Sequence, residues 1–578
     1  MDRLKIFQII IILVAAIIIG RLFYWQFLNK VESKSPLAQD EIPAPRGEIF
    51  TRDGFPLVAN QEAFLLYAKP KEIKDQEQAA KALAPYLISE KYATSEAELS
   101  ENDLEQKQEE IEKKEEEIQR RLGDKSLFWV QIARKVPLLV KEFLEAKNIK
   151  GIGFEPDQKR YYPEASMAAR LLGFVGSDQF GQDTGYFGLE GYYDRKLRGK
   201  AGKLGLESDP LGLPILVGKY KPQTPEKGSS LYLSLDRVIQ FIVEDKLAKA
   251  VERYGAKSGT VIIANPKTGK ITAMATFPTY NPGLRLEFSE DQYRNPAVAD
   301  SYEPGSTFKL ITMSAALDLG LVDPNTRCNV CSGPRKIGGF EISTWNKKYY
   351  PDSTISEVII HSDNVGMTFV SEKLGLDSFY DYIIKFGFDR PTGIDLQEET
   401  SGTIRRKQEW RQIDLATASF GQGLAVTPIQ MVQAVSAIAN GGKLISPKVV
   451  DYVKNSKGEI EKIEPDNQRQ VISKKAAAQI TEMMVSAVEN GEAKAFAPQG
   501  YRIAGKTGTA QIPLAGHYDP NKTIASFVGF APANDPKFVM LVLFNQPSAS
   551  PFGSETAAPT FFEIAKEIFN YWGITPKN

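Results

Sequence analysis

The chain reads as an α/β protein: an antiparallel sheet flanked by helices, preceded by an α+β pedestal domain and an N-terminal transmembrane helix. Three observations lead there. Residues Ile6 to Gly20 are apolar but for Gln8, and the apolar character resumes after Arg21 to Leu28. A turn-rich cluster, Ser208-Asp209-Pro210-Leu211-Gly212-Leu213-Pro214, divides the remainder. Beyond it, two strand-like runs come before a long helical stretch and three come after.

The elements follow in order. Ile6 to Gly20 is apolar except for Gln8; Arg21 interrupts, and Leu22-Phe23-Tyr24-Trp25 and Phe27-Leu28 continue the run. A span needs roughly 20 residues, which this run supplies if Arg21 snorkels and Tyr24 and Trp25 lie in the interface. Arg3 and Lys5 place the N-terminus in the cytoplasm. No small-x-small cleavage site follows, so residues 1–30 read as an uncleaved cytoplasmic tip and anchor, with the rest outside the cytoplasm.

Residues 31–227 form the expected pedestal. Its first part, to about residue 60, reads as a juxtamembrane stalk with Pro43, Pro45 and an Arg46-Gly47 turn. Residues 99–122 are dense in charge, with Leu104, Ile111, Ile118 and Leu122 as a thin apolar stripe. That pattern predicts a solvated helix packed by one edge.

Residues 228–578 form the expected main domain. Val238, Ile239, Ile242, Val243, Leu247 and Val251 define an amphipathic helix. Thr260–Ala264 and Ile271–Thr276 are the first two strands, joined through Pro266-Lys267-Thr268-Gly269. Gly505–Gln511, Thr523–Phe530 and Phe538–Phe544 are the last three, and Ala565–Tyr571 is a closing helix.

With 578 residues and a net charge of −1, the chain has room for several domains and no basic surplus for a nucleic-acid partner. Cys328 and Cys331 are the only cysteines. A zinc site usually needs four ligands, and His361 and His517, the only histidines, lie in no ligand-spaced pattern. Outside the cytoplasm the pair is either a local disulfide or two free thiols. No metal or organic cofactor is called for.

The chemistry is carried by three short segments in order: Ser306-Thr307-Phe308-Lys309, Ser362-Asp363-Asn364 and Lys506-Thr507-Gly508-Thr509. Glu303-Pro304-Gly305 punctuates the chain before a helical run, which puts Ser306 at a helix N-terminus and Lys309 one turn away on the same face. A serine hydroxyl needs a base, and lysine is one only when burial or a second cation lowers its pKa. Lys506 can be that cation. Ser362 can relay a proton to the leaving amine, and Asn364 can hold the substrate amide. Gly508 leaves room for a substrate backbone at the strand edge, flanked by Thr507 and Thr509. The N–H groups of Ser306 and Thr509 then form an oxyanion hole. Taken singly, Ser306 is equally well a helix cap, Asn364-Val365-Gly366 a turn and Lys506 a solvated strand end. The ordered trio favours acyl transfer through a serine ester.

The trio matches the S-x-x-K, S-x-N and K-T-G signature of penicillin-binding proteins and class A β-lactamases. The chain resembles the class B, monofunctional penicillin-binding proteins well beyond it. Arg46-Gly47-Glu48-Ile49 with Arg52-Asp53-Gly54 and Gly188-Leu189-Glu190-Gly191-Tyr192-Tyr193 are similar to pedestal motifs of that family. So are Ser419-Phe420-Gly421-Gln422-Gly423 and Ala525–Pro532 to later ones. The resemblance implies the penicillin-binding/transpeptidase fold and a D,D-transpeptidase of the bacterial inner membrane. It would cross-link peptidoglycan stem peptides ending in D-Ala-D-Ala and be a target of β-lactams. It also implies a SEDS-type glycosyltransferase and other division proteins as partners. Ser362-Asp363-Asn364-Val365-Gly366 resembles the division-type pattern, so a septal role is expected, with an elongation role as the alternative. A β-lactamase or carboxypeptidase fits less well, since no deacylating Glu-x-x-x-Asn lies between Ser362 and Lys506. A non-enzymatic sensor is expected to carry a cytoplasmic signalling domain, and only a handful of residues precede the apolar run.

Overall fold

A computed structural model describes residues 3–23, 37–88, 92, 100–179, 181–207, 221–465, 468–514 and 517–576. Contacts divide the chain into two compact units, residues 1–44 with 200–226, and residues 45–199 with 227–578.

In the smaller unit, Arg3–Phe23 is helical. Among the described residues no helix is long and apolar enough to cross a membrane. Tyr24, Trp25 and the run to Leu28, on which the expected span depends, lie outside the described residues. The expected stalk is in part a strand: Leu37–Ile42 pairs antiparallel with Gly202–Glu207, which pairs with Lys221–Gln223. Residues 31–36 and the expected joint at Ser208–Pro214 lie outside the described residues.

The larger unit opens with β1 (Ile49–Phe50) and β2 (Pro56–Ala68). The charged run is helix α1 (Glu101–Gly123), capped by the Ser100 hydroxyl; Ile118 and Leu122 are buried while Leu104 at its start is exposed. It packs with β3 (Val130–Pro137) and β4 (Ile152–Tyr161), both antiparallel to β2, around Phe64, Leu66, Ile132 and Leu144. Strand β5 (Ser230–Leu233) runs parallel to β1 on one side and antiparallel to Val450–Lys454 on the other. One sheet therefore joins chain from both sides of residue 228.

Arg46 anchors this region. Its guanidinium donates to Glu190 and Asp194 at 2.8 Å each, Arg160 donates to the other Glu190 oxygen at 2.9 Å, and Asn60 bridges Arg160 to the Arg46 carbonyl. Glu190 is fully buried. Nearby, the Tyr193 hydroxyl donates to Asp395, whose carboxylate also accepts from the Val449 and Val450 N–H groups.

The main sheet has five antiparallel strands. Helix α2 (Arg237–Tyr254) precedes β6 (Ser258–Ala264) and β7 (Ile271–Phe277). Helices α3 (Lys309–Asp318), α4 (Asn364–Phe386), α5 (Pro428–Ala439) and α6 (Lys474–Asn490) follow. Strands β8 (Ala504–Leu514), β9 (His517–Ala531) and β10 (Phe538–Asn545) and helix α7 (Ala557–Trp572) complete the domain. The spatial order is β7-β6-β10-β9-β8, so β8 is an edge. Side chains alternate across the sheet. On β10, Phe538, Met540, Val542 and Phe544 pack with α2 and α7, while Val539, Leu541 and Leu543 face the core shared with α3 and α5. The antiparallel sheet with helices on both faces is the fold expected from the sequence.

Glu190→Gln is expected to leave the Arg46 and Arg160 guanidiniums short of charge in a buried site, costing about 3–5 kcal/mol. The check is a lower urea midpoint by circular dichroism; an unchanged midpoint would remove the network from the account of stability.

Candidate active site

Ser306 lies in a single 3₁₀ turn, Gly305–Phe308, that leads into α3. The helix N-terminus expected there is thus one tight turn longer. Every residue of α3 from Lys309 to Leu317 is buried, so this helix is central to the domain and does not lie on its surface. The turn rests on the Ser419–Gly423 segment. Gly305 N–H donates to the Gly421 carbonyl at 3.0 Å, and Thr312 donates to the Ser419 carbonyl at 2.9 Å. Gly421 has φ +81°, and a Cβ there would stand 2.2 Å from the Gly305 oxygen. Only glycine allows that approach. The Ser306 hydroxyl is half-buried and hydrogen-bonds to no other described residue.

Lys309 is fully buried. Its Nζ lies 2.5 Å from the Ser362 carbonyl oxygen, 3.2 Å from Ser362 Oγ and 2.8 Å from Asn364 Oδ1. The Asn364 amide is oriented by its other end, where Nδ2 donates to the Ser343 carbonyl at 3.2 Å. Ser362 is buried with φ +55° in the turn between Ile355–Ile360 and α4. Such a backbone costs of order 1–3 kcal/mol for a non-glycine residue and persists where its surroundings hold it. Asp363 does the holding: its carboxylate caps α4, accepting from Val365 and Gly366 N–H at 2.7 and 3.1 Å. Burial, with the Lys506 charge second, takes the Lys309 amine well below the ordinary lysine range, against opposing attraction from Asp363 and Glu492. Burial also raises the Asp363 carboxyl.

Lys506 is buried on edge strand β8. Its Nζ donates to Thr507 Oγ1 at 3.1 Å and to the Thr507 carbonyl at 3.2 Å. Burial lowers its pKa to about 8, with Glu492 pulling the other way. Thr509 Oγ1 accepts from Gly553 N–H at 3.1 Å. Its carbonyl oxygen lies 2.9 Å from where a Cβ on Gly305 would stand, so the strand edge and the Ser306 turn are in contact. Gly508 also has a physical reason within the fold itself. A Cβ there would stand 2.4 Å from Ser526 Oγ and 2.9 Å from Thr307 Cγ2. The missing side chain therefore makes room for the protein's own serine turn.

Lys309, Ser362 and Asn364 are joined by direct hydrogen bonds. Ser306 is one turn of backbone away, and Lys506 reaches Lys309 through charge alone. Several neighbours carried no assignment from sequence. Asp363 had a readable signal, as an N-cap before a helical run. Glu303 accepts from Gly423 N–H and the Tyr518 hydroxyl. Trp345 packs on Phe552, ring centroids 5.3 Å apart. Glu492 accepts from the Thr507 hydroxyl. These four contacts join segments apart in sequence and had no local signal. Among the described residues no His, Cys, Asp or Glu cluster suits a metal ion. Cys328 and Cys331 form a disulfide, both buried, in the loop after α3.

Residues 259–569 match the penicillin-binding protein transpeptidase domain, and residues 41–233 the penicillin-binding protein dimerisation domain. Stage V sporulation protein D of Bacillus subtilis is 33% identical, over 98% of this chain and 85% of its own. Peptidoglycan D,D-transpeptidase FtsI of Escherichia coli K12 is 29% identical, over 98% of this chain and 91% of its own. The structure of penicillin-binding protein 3 from Mycobacterium tuberculosis complexed with ampicillin superposes with a TM-score of 0.69 at 25% identity, covering 93% of this chain and 97% of that one. With both domains matched and relatives aligned over nearly its full length, the chain belongs to the class B penicillin-binding proteins.

Proposed function

We propose that this protein, a peptidoglycan D,D-transpeptidase, acts through Ser306 as nucleophile and Lys309 as its base. The observation that carries the assignment is the buried Lys309 amine, one turn from Ser306 and bonded to both Ser362 and Asn364. Neutral Lys309 has two N–H bonds and a lone pair. The Ser362 carbonyl and Asn364 Oδ1 take the two N–H bonds. The lone pair is left for a hydroxyl proton.

Ser306 Oγ attacks the carbonyl of the D-Ala-D-Ala bond and gives its proton to Lys309. Charge on the substrate oxygen is met by the N–H groups of Ser306 and Thr509, donors of a kind worth about 10²–10³ in rate. The C–N bond breaks as the Ser362 hydroxyl protonates the departing D-alanine amine and is resupplied from Lys309. An acceptor amine then attacks the ester, its proton passes to Lys309, and Ser306 recovers the proton as it leaves. Thr507, Gly508 and Thr509 hold the donor peptide along the β8 edge, and the Lys506 charge both helps keep Lys309 neutral and attracts the terminal carboxylate of the donor peptide or the carboxylate of a β-lactam.

The apolar run to Leu28 and the helix Arg3–Phe23 support an anchor at residues 1–30, with the N-terminus cytoplasmic and the bulk outside the bacterial inner membrane. Residues 31–227 then serve as pedestal and 228–578 as transpeptidase domain. A SEDS-type glycosyltransferase is the partner proposed for the anchor and pedestal. The Ser362–Gly366 pattern favours septal synthesis. The relative named for stage V sporulation gives a second reading, a role confined to that process.

Ser306→Ala is expected to abolish covalent labelling by a fluorescent penicillin, and Lys309→Met to reduce it at least about 100-fold, as for loss of a general base. Labelling at the wild-type rate in either folded variant would remove that residue from the mechanism.

The rate of acylation depends on pH through both lysines. Lys309 must be neutral, so the rate rises with pH through its lowered pKa. Lys506 must be charged to attract the penicillin carboxylate, so the rate falls as pH rises through about 8. Stopped-flow acylation from about pH 5 to pH 10 should give a bell; a rate still climbing at the alkaline end would exclude a charged Lys506.

Depleting the protein from its host should block division while cells keep elongating, scored by microscopy. Loss of cell shape with division intact would support the elongation role, and a defect seen only in sporulation would support the second reading.

A further inference from the structure

Glu492 stands in the turn after α6, well before the Lys506 strand in sequence, and is exposed. Its Oε2 lies 3.5 Å from Thr507 Oγ1, which lies 3.1 Å from Lys506 Nζ. A hydroxyl that accepts from an ammonium turns its own proton the other way, here toward Glu492. The order is carboxylate, hydroxyl, ammonium. We propose that Glu492 is a positioning residue for the transpeptidase reaction, holding the charge and place of the Lys506 ammonium through the Thr507 hydroxyl. This rests on the Ser306 and Lys309 mechanism above.

The charged groups around Lys506 sort by element. From α3 comes Lys309, whose amine is itself held below the ordinary range. From the start of α4 comes Asp363, with one carboxylate oxygen committed to two N–H groups of that helix. From α6 comes Glu482, paired with Arg502 at the foot of β8 and exposed. Glu492 is left as the carboxylate that acts on Lys506. Its effect on Lys309 has two parts of opposite sign. Directly, it favours the protonated amine. Indirectly, it keeps Lys506 charged, and that charge favours the neutral amine. The direct attraction is the smallest of the influences on Lys309, and the Lys506 charge is second only to burial. Near pH 8, where Lys309 is already neutral, what Glu492 preserves is the Lys506 charge that attracts the carboxylate of the penicillin.

The test compares pH profiles of acylation by a fluorescent penicillin for the full-length wild type, Glu492→Gln, Glu492→Asp and Glu482→Gln. In wild type the alkaline limb lies near 8. Glu492→Gln should move that limb to lower pH, leaving acylation about threefold to tenfold slower at pH 8 and within about twofold at pH 6, the pattern of a lowered lysine pKa. Glu492→Asp should restore most of the wild-type limb. Glu482→Gln, whose partner Arg502 is exposed, should superpose on wild type. Superposed profiles for Glu492→Gln and wild type would overturn the proposal, and so would uniform slowing at every pH, which is the mark of a structural defect. Failure of the underlying mechanism reads differently: wild type itself would then show no acylation at Ser306.

Discussion

Two lysine amines share one buried site, and the rest of the domain is arranged so that this is tolerable. Removing an ammonium from water disfavours the charged form, and a second cation nearby disfavours it further. Lys309 is subject to both, and Lys506 mainly to the first. The outcome is an asymmetric pair, one amine poised to be neutral and the other only moderately lowered. The asymmetry follows from position. Lys309 lies on α3, a helix buried on every side, and Lys506 lies on an edge strand with Glu492 within reach.

Such a site cannot be assembled on one element, because no single element excludes water on all sides. Four segments converge: the 3₁₀ turn with α3, the Ser362 turn, edge strand β8 and the Ser419–Gly423 segment. Their backbones approach more closely than side chains would permit. Gly421 meets the Gly305 oxygen, and Gly508 meets Thr307 and Ser526. Glycines in catalytic motifs are readily assigned to the substrate. Here their first duty is to let the walls of the site close on each other.

The layers of the main domain were legible because their signals are local. The β10 run alternates between two apolar cores, and α2 shows its stripe at helical spacing. Boundaries failed where chemistry overrode pattern. Helix α7 begins at Ala557, well before the expected Ala565, because Pro559 falls in its first turn, where a missing N–H costs nothing. Strands β8 and β9 run past the expected Gln511 and Thr523, pairing Ile512–Leu514 with His517–Asp519 beyond a register shift after Gln511. That extension has no alternation to read. Leu37–Ile42 reads as stalk because its partner strand, Gly202–Glu207, lies far along the chain. In the site, the motif residues were legible as an ordered set, whereas Glu303 with Tyr518, Trp345 with Phe552, and Glu492 with Thr507 exist only once the chain has folded.

Ser362 shows why the motif spacing is tight. Left-handed backbone at this residue turns its carbonyl and its hydroxyl toward the same amine, an arrangement an extended serine would not give. Asp363 offsets the strain by capping the next helix, and Asn364, the first residue of that helix, adds the third acceptor. Three consecutive residues thus fix the amine, cap the helix and set the amide. With its two N–H bonds taken by carbonyl oxygens, a neutral Lys309 can only accept from a hydroxyl. Hydrogen-bond geometry therefore decides which proton moves, after burial has decided that the amine is free to receive it.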